Sequence, residues 1–195
     1  MTDKRSLVGK RDHALLRLLG DCGLRNAELR SLTARAIRRP RANSTHHHLF
    51  VRGKGDVERE IPIPAATLVA LEAWLRAHPQ RVGRGLRDDD VLFVSLARAS
   101  TSSPSAISQQ GLAKLIRRHA AVAGVPERLA HPHALRGYYA TTLAGERVAI
   151  QEIKARLGHA SIETTARYLA ELSGQGEGVG DVLDRHHQAQ RRQRA

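Results

Sequence analysis

A chain of 195 residues is long enough for one domain with a real core and a short tail. Its 32 Lys+Arg against 19 Asp+Glu leave a net charge of +13, which suits a polyanionic partner, and its single cysteine rules out an intrachain disulfide framework. No apolar run approaches the roughly 20 residues of a membrane helix, and the Met1-Thr-Asp-Lys-Arg5 start lacks the apolar segment of a signal peptide, so a cytoplasmic protein is expected.

In chain order, Leu15, Leu18, Leu19 and Cys22 recur at helical spacing and predict a helix over about 9–21, ended by Gly23, with Cys22 as a core residue. Asn26 is the expected N-cap of a short helix running to Leu32, which puts Arg25 at a helix mouth. Residues 47–52 and 57–63 flank Gly53-Lys-Gly-Asp56 and predict an antiparallel hairpin with a glycine-rich turn. Pro62 and Pro64 place its second strand at a sheet edge or at the strand's own end. A helix over about 65–78 presents Leu68, Leu71 and Leu75 on one face, and Val91-Leu-Phe-Val94 is a short apolar strand. The Ser/Thr/Ala-rich stretch 98–106 is a loop, followed by a helix over 108–123 with Leu112, Leu115 and Ile116 inward. The last third is helical over about 132–145, 149–157 and 161–172, with Ser161 as N-cap and Glu163 complementing the helix dipole. Glycines 174, 176, 178 and 180 then form a link to a basic tail. The class is mainly α with a small antiparallel β-sheet, an α+β fold.

Several residues along this chain suit phosphate chemistry. Arg25, in Leu24-Arg-Asn-Ala-Glu28-Leu29, and Arg136, in His133-Ala-Leu-Arg136, are each set in apolar surroundings, where a guanidinium usually has a partner or a ligand. Two such guanidiniums can clamp the non-bridging oxygens of a phosphodiester and stabilise the charge of its pentavalent transition state. Glu28 is placed to orient them. Lys54 stands between two glycines at the hairpin tip, from which an ammonium can protonate a departing oxygen. His133 and His159 are suited to proton transfer and phosphate binding. Tyr168 lies nine positions after His159 and is the candidate nucleophile, its phenol needing cations and a base to lose its proton. Tyr138 and Tyr139 fit a core role instead.

In that order, Arg25, Lys54, His133 with Arg136, His159 and Tyr168 resemble the signature of the tyrosine recombinases, the phage-integrase family, over about residues 8–172. Glu28 matches the family's supporting acidic position. The resemblance implies a catalytic domain over 1–172, followed by a link and tail over 173–195 that docks in trans, in cis or not at all. It implies cleavage of double-stranded DNA by Tyr168, giving a 3′-phosphotyrosyl bond and a free 5′-hydroxyl, then rejoining without cofactor, metal or ATP. Lys54 would be the general acid, Arg25, Arg136 and His159 the phosphate binders, and His133 an aid to proton transfer. It also implies a homo-tetramer on DNA, accessory DNA-bending proteins, nucleoid association and work on mobile elements. The chain departs from the family in beginning at the catalytic domain, without the N-terminal core-binding domain that clamps the opposite DNA face. Gly137 also stands where many members carry a bulkier polar residue. The alternatives are a type IB topoisomerase-like enzyme and a non-catalytic DNA-binding module that retains the fold.

Other motifs are weaker. His46-His47-His48 is a poor metal site because successive strand residues alternate faces. No Cys/His zinc spacing, P-loop or dinucleotide fingerprint is present, and His186-His187 falls in the tail. One Trp, three Tyr and two Phe are too few for a platform that stacks single-stranded bases.

Overall fold

The computed structural model describes residues 4–40, 45–53, 58–96 and 105–158. Lys54, His159, Tyr168, the helix expected over 161–172 and everything C-terminal to it lie outside the described residues. Helix α1 (Leu7–Cys22) runs through the centre and packs on α3 (Ala65–Val82) and on α5 (Pro132–Gly145). Helix α2 (Asn26–Ser31) bridges α1 and α4 (Gln109–Val122), and α6 (Ile150–Leu157) packs between α5 and the sheet. The sheet has strand order β1 (Ile37–Arg38), β2 (His48–Arg52), β3 (Glu58–Pro62), all antiparallel.

Helix α1 begins where the Ser6 hydroxyl accepts from the Gly9 N–H at 3.1 Å, an N-cap, and it ends at Gly23. Its apolar stripe is fully buried: Leu15, Leu18, Leu19 and Cys22 are each 0% exposed. Each buried leucine stabilises the fold by roughly 1.5–3 kcal/mol relative to exposure. The predicted hairpin forms, with His48 facing Pro62 and Arg52 facing Glu58, and Leu49, Val51 and Ile61 are buried in the core. Pro62 closes the edge strand β3, where a missing N–H costs the ladder least.

The structure differs from the sequence expectations at five places. Strand β1 was not anticipated, since two residues are too short to show an alternation. Helix α3 runs through Pro79 to Val82, its end held by the Gly83 N–H bonding the Pro79 carbonyl at 2.8 Å. Val91–Val94 is not a strand. It makes single bridges, Val91 to Thr33 and Val94 to Ala106. The Val91 carbonyl goes to the His78 ring at 3.0 Å and the Leu92 carbonyl to the Trp74 indole N–H at 2.8 Å, so side chains take the acceptors a longer ladder would use. The N-cap of α2 is Arg25 rather than Asn26, because Glu28 reaches back to the Arg25 N–H at 2.8 Å. Tyr139 is buried as expected, but Tyr138 is 61% exposed. Neighbours on a helix lie about 100° apart, and Arg136, Tyr139 and Ala140 already occupy the inner face. Gly137 is buried on that face too, and α5 runs through it without a break.

Two buried polar side chains tie distant parts of the fold together. His78, its pKa lowered by burial, stays neutral and donates from Nε2 to the Val91 carbonyl at 3.0 Å. Asp12, wholly buried in α1, accepts from Arg11 Nε and NH2 (2.9 and 2.7 Å), from Arg118 (2.5 Å) and from His119 Nε2 (2.9 Å), tying α1 to α4. Asp12→Ala removes the carboxylate and leaves the buried Arg11 guanidinium without its counter-charge. We expect a loss of about 3–5 kcal/mol in urea denaturation, with an unchanged slope. A loss under about 1 kcal/mol, the net worth of one ordinary hydrogen bond, would show that the network adds little.

Candidate active site

The candidate site is assembled around the last turn of α6. The C-terminal carbonyls of a helix lack intrahelical donors and carry the negative end of its dipole. Here three arginines from three other elements take the last three of them in succession. Arg59 Nε, from β3, donates to the Arg156 carbonyl at 2.8 Å. Arg136 NH2, from α5, donates to the Leu157 carbonyl at 2.5 Å. Arg25 NH2, from the mouth of α2, donates to the Gly158 carbonyl at 2.6 Å. His159 follows directly on this turn.

Glu28 is the counter-charge. Its Oε1 accepts from Arg25 NH1 and from Arg59 NH1, both at 2.9 Å. Its Oε2 accepts from the Arg25 backbone N–H and from Arg59 NH2, both at 2.8 Å. Four donors fill the acceptor capacity of one carboxylate. Burial pushes the Glu28 carboxyl upward, but the bonds and charge of Arg59 and Arg25 outweigh it and hold the carboxyl down at about 2. Arg59 was not singled out by the sequence. Its signal was slight: one arginine in a strand, with an apolar residue two positions on. Its side chain is 8% exposed and forks bidentately onto Glu28.

Two glycines admit these arginines. Gly23 has φ +60°, and a Cβ there would lie 2.3 Å from the Tyr139 ring. Its carbonyl accepts from Arg136 NH1 at 2.5 Å. Gly158 has φ +64°, and a Cβ there would press on the Arg59 guanidinium at 3.1 Å. Only glycine meets both demands without strain. Tyr139 hydrogen-bonds Arg156, yet burial dominates and raises its pKa, which disfavours the phenolate a nucleophile needs.

A cleft of about 340 Å³ opens over this assembly, lined by Arg25, Asn26, His131, His133 and Arg136 with Leu24 and Pro132. Arg25 and Arg136, 111 positions apart in the chain, therefore face one space with His133 beside them. Arg136 is 4% exposed, whereas the Arg25 side chain keeps 34% of its surface open. His131 is the other lining residue that sequence reasoning passed over. On the hairpin side of Glu28 a wider groove of about 620 Å³ is lined by Arg35, Arg38, Phe50, Arg52 and Gly53. The Arg38 guanidinium stacks 4.0 Å over the Phe50 ring. Lys54 continues the chain from the end of that groove. Among the described residues no group of three or more His, Cys, Asp or Glu is placed to hold a metal, and no helix is long and apolar enough to cross a membrane.

The Glu28 carboxyl predicts an acid-sensitive site. Its folded value lies below the ordinary 4.5, so ionised Glu28 stabilises the fold above pH about 4.5, and that contribution is lost as pH falls through about 2. Glu28→Gln cannot titrate there. Denaturant midpoints measured across that window should therefore fall less steeply in Glu28→Gln than in wild type. Equal slopes would mean that Glu28 is not the group responsible.

The phage integrase family model matches residues 2–174 of this chain. The tyrosine recombinase XerC of Alcanivorax borkumensis is 36% identical over 170 residues, covering 86% of this chain and 50% of the relative. The tyrosine recombinase XerD of Pseudomonas putida is 34% identical over 166 residues, covering 85% of this chain and 51% of the relative. The chain thus spans about half the length of the curated relatives it matches. The crystal structure of the XerH site-specific recombinase in its post-cleavage complex with palindromic difH substrate superposes with a TM-score of 0.70 at 25% identity, over 90% of this chain and 45% of that one. The XerA recombinase shares the fold, with a TM-score of 0.67 at 24% identity over 92% of this chain and 56% of that one. The matched region contains every residue of the α6 assembly, and the chain belongs to the phage integrase family, the tyrosine recombinases.

Proposed function

We propose that this chain is the strand-cleaving and rejoining domain of a site-specific DNA recombinase. The observation that carries the reading is the convergence of Arg25 and Arg136 on consecutive carbonyls of α6, which holds two guanidiniums rigidly over one cleft. A preorganised pair of this kind stabilises negative charge as it develops on a phosphorus, with no reorganisation during reaction. The arginines supply what a metal supplies in many nucleases, so the reaction runs without metal, cofactor or ATP.

In the mechanism, Tyr168 attacks the phosphorus of one DNA strand and forms a 3′-phosphotyrosyl bond. The 5′-oxygen leaves with a proton from Lys54, and a 5′-hydroxyl later attacks the phosphotyrosine to rejoin the strand. Arg25, Arg136 and His159 bind the non-bridging oxygens, and His133 assists the proton movements. The sequence order supports these roles: Lys54 follows Gly53, which lines the arginine-rich groove, and His159 follows Gly158, whose carbonyl Arg25 bonds. Glu28 and Arg59 position the clamp without touching the phosphate. The groove of Arg35, Arg38 and Arg52 gives flanking backbone phosphates a path, which makes binding salt-sensitive.

The XerC and XerD relatives and the XerH recombinase bound to its palindromic difH substrate support a double-stranded DNA substrate and exchange between sites. In the wider proposal, residues 1–172 are the catalytic domain and 173–195 a link and tail. The enzyme acts as a homo-tetramer on DNA, with accessory bending proteins, on mobile elements in the cytoplasmic nucleoid.

Wild-type protein incubated in EDTA with nicked suicide duplexes should give an SDS-stable covalent complex. Tyr168→Phe should abolish it and leave DNA binding nearly intact, whereas Tyr139→Phe should still form it. Arg136→Ala should slow its formation about 10²–10³-fold. A complex formed by Tyr168→Phe would overturn the nucleophile assignment. Plasmid relaxation without recombinant product would favour a topoisomerase, and salt-sensitive binding without any complex a non-catalytic module.

A further inference from the structure

Helix α5 is capped by an unusual residue. Asn, Asp, Ser and Thr are the favoured N-caps, because a short side chain easily reaches the N3 amide. Here the N-cap is His131, with extended backbone (φ −147°, ψ 159°) and Nδ1 accepting from the Ala134 N–H at 3.1 Å. A ring nitrogen that accepts carries no proton, so the neutral ring holds its proton on Nε2. A serine or aspartate would cap the helix through the atom nearest its backbone and go no further. An imidazole caps with one nitrogen and carries a donor across the ring on the other.

Three observations say where that donor is used. His131 lines the same cleft as Arg25, His133 and Arg136. Its ring lies nearly parallel to that of His133, at 12° with centroids 6.4 Å apart, so the two imidazoles are stacked at the cleft. The third observation is a shortage of main-chain donors. The first turn of a helix ordinarily offers several N–H groups to an anion. In α5 the first helical residue is Pro132, which has none, and the Ala134 N–H is committed to the His131 ring. With one of these donors missing and another taken, side-chain donors carry more of the load for an anion at this helix end.

We propose that His131 is a further phosphate-binding residue of this site. Its Nε2–H donates to a non-bridging oxygen of the phosphodiester clamped by Arg25 and Arg136, while its Nδ1 fixes the turn that carries His133 and Arg136. The inference rests on the phosphate reading of the cleft given above.

The test separates the two nitrogens. His131→Ser and His131→Asn keep an N-cap acceptor and lose the distal donor, whereas His131→Ala loses both. We expect His131→Ser to unfold at the wild-type midpoint but to form the covalent complex roughly ten- to a hundredfold more slowly, the loss of one hydrogen bond to a charged group. His131→Ala should be slower and also less stable. Arg136→Ala is assayed alongside. If His131→Ser reacts within about twofold of wild type while Arg136→Ala is slowed as expected, the His131 assignment is overturned and the phosphate reading stands. If neither change matters, the phosphate reading falls and takes this inference with it. A readout independent of turnover is the imidazole ¹⁵N spectrum of the full chain titrated with inorganic phosphate. Nδ1 should be the bare nitrogen of His131, and Nε2 should shift with phosphate in wild type but not in Arg136→Ala. An Nδ1-protonated ring, or no shift, would overturn the proposal.

Discussion

Everything at the candidate site depends on the C-terminal turn of α6, whose last three carbonyls are each bonded by a different arginine. A helix that stops in the interior leaves acceptors that must be met, and a guanidinium meets them with charge as well as with hydrogen bonds. Arg59, Arg136 and Arg25 come from a strand, a helix and a helix mouth that share no local sequence. The α6 terminus is therefore the joint at which the sheet, α2 and α5 are brought into register. The same joint leads directly into His159.

Three guanidiniums gathered in so small a volume repel one another and lose hydration. Two negative sources offset this: the dipole end of α6 and the single carboxylate of Glu28. One carboxylate against three cations leaves the cluster electropositive. That imbalance is the physical basis for anion binding, since full neutralisation would leave nothing for a phosphate to satisfy. The division of labour follows from burial. Arg59 is closed off and saturated by Glu28 and Arg156, whereas Arg25 shares Glu28 and keeps a third of its side-chain surface open toward the cleft.

The close approach of backbone to side chain at this joint needs glycine on both flanks. Gly23 ends α1, turns its carbonyl to Arg136 and leaves room for the Tyr139 ring. Gly158 ends α6, turns its carbonyl to Arg25 and leaves room for Arg59. Both helices stop in the left-handed conformation for which a Cβ is costly, so helix termination and site construction are one event here. On the far side of α1 the Asp12 network anchors α4 by similar means, which leaves α1 held on both faces and able to serve as the reference for the rest.

The sequence by itself determined the parts that depend on local periodicity and order. The apolar stripes of α1 and α4, the hairpin and the succession from Arg25 to Arg136 were legible because each is written within a few residues or as an order along the chain. So was the core role of Tyr139, though not the exposure of Tyr138, since one helix face cannot hold both. The tertiary structure alone decided where bonding partners come from far away. Val91–Val94 reads as a strand, but the carbonyls of Val91 and Leu92 are claimed by the side chains of His78 and Trp74. Pro79 reads as a stop, but α3 continues to a cap at Gly83. Arg59 reads as an ordinary strand arginine until folding sets it against Glu28 and Arg156, 31 and 97 positions away. His131 reads as a flanking residue until α5 begins and its ring becomes the cap. A residue's type and spacing specify what it is able to bond. Which long-range partner it meets depends on how whole elements pack, and no local pattern encodes that.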